Sequence, residues 1–429
     1  MTTPIILAVT LFLFVYVIII SEKIHRTTIA LFGGVLMILL GILSQEQAIH
    51  HIDFNTIGLL IGMMIIVAIT AETGLFRFLA IWSAKKVDGN PVHLFFILSL
   101  LTAVLSAFLD NVTTVLLTVP VTFSITKQLK VKPTPYLIGQ IFASNIGGTA
   151  TLIGDPPNIM LGSAVKELTF IAFINNLTGI TFLILLVTLL IMAYHYRSEM
   201  RTTKELRQKI RELDETKQIT NPKLLKKCLF VLALTIFLFV THQFFQLESA
   251  TVALFGASLL LFLTASRSEQ NLEGIFHKVE WTALFFFMGL FVLVGGLIET
   301  GVITFLAKKS LELTGGNLIF TALLILWVSA IASAFIDNIP FVATMIPLIK
   351  DMGALGLTHL DPLWWSLSLG ACLGGNGTLI GASANVIVAG LAAQEGYHIT
   401  FLSYLRIGFP LMLLSILLSS LYIYFRYLI

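Results

Sequence analysis

Long apolar runs separated by short polar stretches recur from end to end of the chain. A membrane-spanning helix needs about 20 mostly apolar residues. The pattern predicts spans at 4–20, 27–44, 54–70, 135–163, 172–195, 227–243, 249–265, 281–297, 362–394 and 402–426. Two further apolar segments, 92–126 and 318–348, differ in carrying polar residues at their centres: Asp110-Asn111 in the first, Asp337-Asn338 in the second. A continuous helix would hold such a carboxylate at mid-bilayer. A hairpin that enters and leaves on one side places it at a tip buried within protein, where irregular backbone is tolerated at membrane depth. The expected fold class is an all-α polytopic membrane protein.

Composition agrees. Of 429 residues, 57% are hydrophobic and 11% charged, against roughly 25% charged in soluble chains. The net charge of +3 is spread over loops, and no basic patch with interleaved aromatics points to nucleic acid. Cys228 and Cys372 form no metal-spacing motif and no disulfide framework. No cofactor is expected. No ATP-binding P-loop occurs, so ATP drive would need a separate cytoplasmic ATPase subunit.

Loop charges set the topology. The stretch 197–227 holds ten basic residues, from Arg197 to Lys227, and by the positive-inside rule it is cytoplasmic. Lys85 and Lys86 precede the first candidate hairpin, and Lys127, Lys130 and Lys132 follow it, so both its ends read as cytoplasmic. Loop 45–53 has no Lys or Arg and reads as external. The count gives ten spans in the cell (inner or plasma) membrane with both termini outside. The run Pro4–Ile20 reads as a first span rather than a cleaved signal, because its charges follow it. Lys308-Lys309 then fall outside and are assigned to the interface.

Laid on itself with Asp53-Phe54 over Glu280-Trp281, the sequence aligns without a gap as far as Asn158 over Asn385. Ser106–Asn111 meets Ser333–Asn338, Gly147-Gly148 meets Gly374-Gly375, and Thr151–Gly154 meets Thr378–Gly381. Residues 1–196 and 227–429 form the two repeats, joined by the basic linker 197–226. Each repeat carries five spans and one hairpin, and an odd span count turns the second copy upside down. Inverted repeats with paired Gly/Pro-interrupted segments point to a secondary transporter with its site at the repeat interface near the midplane.

Four broken segments carry the candidate chemistry. Two are the hairpin tips, with Asp110, Asn111, Thr113 and Thr114 in one and Asp337 and Asn338 in the other. Two are span interruptions. The first supplies Asn145, Gly147, Gly148, Thr149, Thr151, Gly154, Asp155 and Asn158; the second supplies Gly374, Gly375, Asn376, Thr378, Gly381, Ser383 and Asn385. Pro156-Pro157 cannot continue a helix, and the glycines permit an unwound backbone. Freed carbonyls with Asp and Asn oxygens suit a Na⁺-sized ion, and Asp110, Asn111 and Thr113, with Asp337 and Asn338, are the candidate Na⁺ ligands. The bland alternatives are that the glycines let helices approach, that the Asp residues cap helices, and that Glu72 and Glu299 are interfacial. The four segments hold three Asp and no Lys, Arg or His. Carboxylates without a basic partner in a low-dielectric cavity must bind a cation or take up a proton, so the coupling ion is H⁺ or Na⁺.

These residues, Ser106–Thr114, Asn145–Asn158 with its Gly-Asp-Pro-Pro-Asn element, and Ser333–Pro340, resemble the arsenical-pump/P-protein/NhaD-type branch of the ion transporter superfamily. That branch is related to the citrate and dicarboxylate/sodium symporters. The resemblance covers nearly the whole chain and is nearest the P-protein-like subgroup. It implies a mobile domain with paired hairpins, a separate scaffold, elevator-type movement and a homodimer. Dicarboxylate symporters carry Ser-Asn-Thr at the hairpin tips, whereas Asp110-Asn111-Val112 and Asp337-Asn338-Ile339 stand here.

The expected function is ion-coupled transport of a small inorganic ion or oxyanion, not an enzymatic reaction. Arsenite or antimonite efflux is its most nameable form, since neutral arsenite suits a site without fixed positive charge. A Na⁺/H⁺ antiporter, a carboxylate or other anion carrier, and an ion channel are the alternatives. An intramembrane aspartyl protease is disfavoured because its Gly-x-Gly-Asp element is absent.

Overall fold

The computed structural model describes residues 3–21, 23–264 and 272–429. Met1-Thr2 and position 265, the predicted end of the seventh span, lie outside them. The described residues form helices and turns, with no strand among them.

The first half runs α1 (Thr3–Ser21), α2 (Arg26–Leu39), α3 (Gln45–His51), α4 (Phe54–Glu72), α5 (Leu75–Lys86), α6 (Pro91–Phe108), α7 (Asn111–Leu129), α8 (Thr134–Thr149), α9 (Pro156–Ala164), α10 (Phe170–Phe173) and α11 (Gly179–Tyr196). A π turn at 174–178 fuses α10 to α11. The second half runs α12 (Lys204–Arg211), α13 (Pro222–Thr241), α14 (Ser249–Thr264), α15 (Leu272–His277), α16 (Trp281–Glu299), α17 (Val302–Thr314), α18 (Leu318–Phe335), α19 (Asn338–Ala354), α20 (Asp361–Gly374), α21 (Ser383–Gln394) and α22 (Phe401–Ile423). Among the described residues, nine helices are long and apolar enough to cross a membrane. Exposed Leu39, Phe230, Phe262 and Phe320 give the outer surface the apolar side chains that lipid requires.

Two groups of helices pack mainly within themselves. In the frame, α2 lies on α16, α4 on α14, and α1 and α13 flank them; in the other group, α6 lies on α8, α18 on α20, and α7, α11, α19, α21 and α22 complete the bundle. Glycines allow the close crossings. A Cβ on Gly147 would lie 2.2 Å from Ala103 O, and one on Gly374 would lie 2.5 Å from Ala330 O. A Cβ on Gly62 would meet the Ala253 backbone at 2.5 Å, and one on Gly289 the Ala30 backbone at 2.6 Å. Small residues that let backbones approach are the main source of helix association in lipid.

The predicted hairpin 92–126 is α6 and α7, broken at Leu109-Asp110, and 318–348 is α18 and α19, broken at Ile336-Asp337. Each pair starts and ends in one place. The linker touches both ends of the first: Arg211 pairs with Asp88 at 2.9 Å, and Thr202 Oγ1 donates to Leu129 O at 2.6 Å. The ends of the second meet in one surface cleft, between Gly315-Gly316 and Leu355–Leu357. The linker is not a plain loop. It contains α12 and a 3-10 turn at Glu215–Gln218, and its last residues, Lys223 and Lys226, already belong to α13, which starts at Pro222. The predicted span 27–44 also ends early, at Leu39, with a turn at Gly41 (φ 69).

Candidate functional site

Both hairpin tips are built as helix N-caps. Asp110 accepts from Thr113 N at 2.8 Å and from Thr113 Oγ1 at 2.5 Å, and Asp337 accepts from Ile339 N at 3.2 Å. Short side-chain acceptors at this position satisfy amides that a helix start leaves free. Both tips therefore have the capping contacts of the bland alternative, and Thr113 serves its own tip.

The interruption 150–155 ends where Pro156 opens α9, a position at which a missing N–H costs nothing. Asp155 holds the cap position but makes no capping bond. Its buried carboxylate instead accepts one amide from each hairpin tip, Asn111 Nδ2 at 3.5 Å and Asn338 Nδ2 at 3.4 Å. Each Asn directly follows an Asp in the sequence. In the structure both turn to Asp155, because the neighbouring Asp carboxylates are held by their caps.

Asn145 is the hub of the amide network. It accepts from Asn111 Nδ2 at 3.1 Å and donates to Asn376 Oδ1 at 3.0 Å and Asn385 Oδ1 at 2.9 Å, so it ties the first tip to the second interruption. Asn158 donates to Thr149 O at 3.1 Å and Thr151 O at 2.9 Å; Asn385 donates to Gly375 O at 2.8 Å and Thr378 O at 2.9 Å. The carbonyls expected to be free for an ion are thus engaged by amides. Gly148, Gly154 and Gly381 are close-approach positions: a Cβ on any of them would lie within 2.7 Å of a backbone oxygen. Gly375 is looser, at 3.1 Å from Gly381 O. Thr114 Oγ1 and Asn376 Nδ2 are buried without a hydrogen-bond partner. Matched contacts recur at equivalent positions of the two halves. Ser106 donates to Ser144 O at 2.7 Å, and Ser333 to Ala371 O at 2.6 Å; Thr151 and Thr378 donate to Ala107 O and Ala334 O.

The expectation of a site without a basic partner is overturned. Arg26, from outside the four segments, reaches in to pair with Asp337 and donates to Ser383 Oγ at 2.8 Å. Its guanidinium carbon stands 5.2 Å from the Phe286 ring centroid, a cation–π distance. In the sequence Arg26 reads as a positive-inside charge at a span boundary. No signal in the sequence marks it: the predicted span 27–44 looks full length, and only the structure shows that α2 has 14 residues and rises about 21 Å, less than a bilayer core. Glu280 was also missed. It aligns with Asp53, but Asp53 caps α4 through Asn55 and Thr56, whereas Glu280 makes no capping bond and faces the site.

Arg26, Asp110, Asn111, Asp155, Glu280, Asn338 and Ser383 are the polar lining of an inner cavity of about 40 Å³. A larger vestibule of about 290 Å³ lies beyond Arg26, walled by Ile19, Ile24, Phe335, Asp337 and Val386. Among the described residues, four carboxylates and one guanidinium stand around the two spaces. Among the described residues, too, no three His, Cys, Asp or Glu converge closely enough to hold a metal ion.

Paired hairpins whose tips meet two broken helices around a buried polar cavity define the class: a multi-pass membrane transporter. The citrate transporter family profile matches residues 16–370, and the chain belongs to that family. An uncharacterised transporter of Mycobacterium bovis is 41% identical over 428 residues, covering 98% of each chain. The P protein of Homo sapiens is 36% identical over 484 residues, covering 94% of this chain and 57% of that protein. In fold, the chain is similar to the YdaH transporter of Alcanivorax borkumensis, with a TM-score of 0.62 at 14% identity over 99% of each chain. The resemblance to the ion transporter superfamily read from the motifs therefore stands.

Proposed function

We propose that this transporter is a secondary carrier that moves a small inorganic cation against protons, with Asp110, Asp155 and Glu280 as the exchanging groups. The observation that carries this is the inner cavity. Three carboxylates line it, and the guanidinium beside them is committed to Asp337. Charges taken from water must be paired or neutralised, and with Arg26 engaged by Asp337 a partly hydrated monatomic cation or protons would do so here. The volume of 40 Å³ has room for about three water-sized particles, at roughly 10–15 Å³ each. That suits a monatomic ion with part of its water, and this conformation has no room for a tricarboxylate.

The halves are read as inverted repeats, supported by the matched hydrogen bonds of Ser106 with Ser333 and of Thr151 with Thr378. Elevator movement of the hairpin group against the frame, in a homodimer, completes the reading. Arsenite efflux loses its argument from charge, because Arg26 supplies a fixed positive group. An anionic solute gains the same residue, so a second reading is a carrier for an oxyanion or carboxylate. Proteoliposomes under imposed pH and Na⁺ gradients decide between them. Na⁺ uptake driven by an outward proton gradient is the expected result. Citrate or arsenite flux with no cation–proton exchange would sink the first reading in favour of the second.

A further inference from the structure

Arg26 and Ser383 are the two residues common to the linings of the vestibule and the inner cavity. They hydrogen-bond each other at 2.8 Å, and both hold Asp337 Oδ2, Ser383 at 3.1 Å. The wall between the two spaces is therefore a polar bridge set among isoleucine, valine and phenylalanine.

The bridge also joins the two helix groups. Arg26 opens α2, which lies on α16 of the frame, while Asp337 and Ser383 open α19 and α21. Tyr16 of α1 adds a second frame contact to the same hairpin, donating to Pro340 O at 2.9 Å. Among the described residues the first hairpin has no equivalent. The offset that lays Asp53 on Glu280 carries Arg26 onto buried Ala253, and the frame group on the cavity beside Asp110 is Glu280, an acid.

We propose that Arg26 is a tethered cation that gates the inner cavity. Held by Asp337 and Ser383, it closes the wall toward the vestibule; a cation that reaches Asp337 displaces it and opens the wall. The inference rests on the cation-carrier reading above. A guanidinium stays charged at any working pH, so it neutralises Asp337 whenever no ion does. Released, it can rest on the Phe286 ring face already beside it. Competition between a fixed and a mobile cation for one carboxylate would keep the site shut when empty and admit an ion only in exchange for the latch.

The test is accessibility, read on the full chain. Met64 is buried on the inner-cavity wall, and M64C is the reporter. Its modification by 2-aminoethyl methanethiosulfonate is followed by peptide mass spectrometry, which separates it from buried Cys228 and Cys372. R26Q should speed modification about tenfold or more, the population shift expected when a charge-assisted hydrogen bond holding a closed state is removed. R26K keeps the charge on a shorter, more strongly hydrated head group and should give a smaller increase. In a D337N background R26Q should add much less, since the ionic half of the latch is already gone and Ser383 alone remains. An unchanged rate in R26Q, or an equal factor in both backgrounds, overturns the gate. Should R26Q fail to fold, R26K and D337N carry the comparison: neither speeding modification overturns it. Because labelling does not read flux, wild-type proteoliposomes without cation–proton exchange would sink the carrier reading and leave the gate result interpretable.

Discussion

Arg26 and Asp337, 311 positions apart, form an ion pair that ties the start of α2 to the tip of the second hairpin. The pair explains why Asp337 can cap α19 as a carboxylate deep in an apolar bundle. It also makes the two halves electrostatically unequal, since the oxygens of Asp110 are taken up by Thr113 of its own tip.

That inequality predicts a stability cycle. Asn caps a helix about as well as Asp, so D337N should keep the tip's geometry. It leaves Arg26 without its counter-ion, and losing one partner of a buried pair is costly. Arg26 is 34% exposed at its side chain, so the cost is discounted to about 1–2 kcal/mol for D337N. The R26Q/D337N double variant should be more stable than D337N alone, by thermal unfolding in detergent. Destabilisation equal to the sum of the single variants would show that the two residues do not act as a pair.

How far the sequence discloses this site depends on range. Helix breaks at Asp110, Asp155 and Asp337 are local events, set by capping side chains and Pro156-Pro157, and periodicity finds them. The pairing of α6 with α8 and α18 with α20 follows from small residues, Gly147 and Gly374 among them, that recur at matched places in the two halves. Arg26 and Glu280 are different. Each sits at a helix start and looks solvated, and only the tertiary arrangement turns it inward. The amides are a third case. Asn111 and Asn338 have neighbours in sequence that could receive their protons, and their choice of Asp155 depends on where three chain breaks meet.

Hairpin topology gives a second prediction. The linker touches Asp88 before α6 and Leu129 after α7, so both ends of this pair meet one segment, and a re-entrant hairpin is expected although each helix is long enough to cross. Lys86 and Lys127 are exposed at those ends. K86C and K127C should label with an impermeant thiol reagent from the same side of intact cells or oriented vesicles. Labelling from opposite sides would make α6–α7 a crossing and overturn the hairpin.

The linker itself should respond to acid. Lys85 hydrogen-bonds Glu215 and holds its carboxyl below the usual range; the side chain of Thr216 does the same for Asp214. A carboxylate lowered in the folded state stabilises it above the unfolded pKa, and that contribution is lost as pH falls through the folded value. Docking of 212–218 on α5 should therefore be intact at neutral pH and loosen below the ordinary carboxylate range, near 4. Hydrogen exchange of this segment, corrected for intrinsic rates, checks it. K85Q should weaken the pH dependence, leaving the part that Thr216 gives Asp214, and exchange that is flat with pH in the wild type would refute the docking role.

Asp155 should be the most sensitive carboxylate of the site. It is buried, has no cap role, and is the point at which both hairpin tips are joined, through Asn111 and Asn338. In the second half Ala382 takes its place, so no pseudo-equivalent can substitute. D155N keeps the size but offers one acceptor where two amides arrive, leaving one buried N–H unpaired at about 1–3 kcal/mol. D155N should therefore lower both stability and flux. D110N should leave stability nearly unchanged, since Asn can cap α7, yet remove a titratable charge from the cavity. The two variants separate the roles: D110N folds and loses gradient-driven exchange, whereas D155N loses exchange and also unfolds earlier. If D155N keeps wild-type stability while S383A abolishes cation dependence, the exchanging site belongs to the second half and the assignment of Asp110 and Asp155 fails.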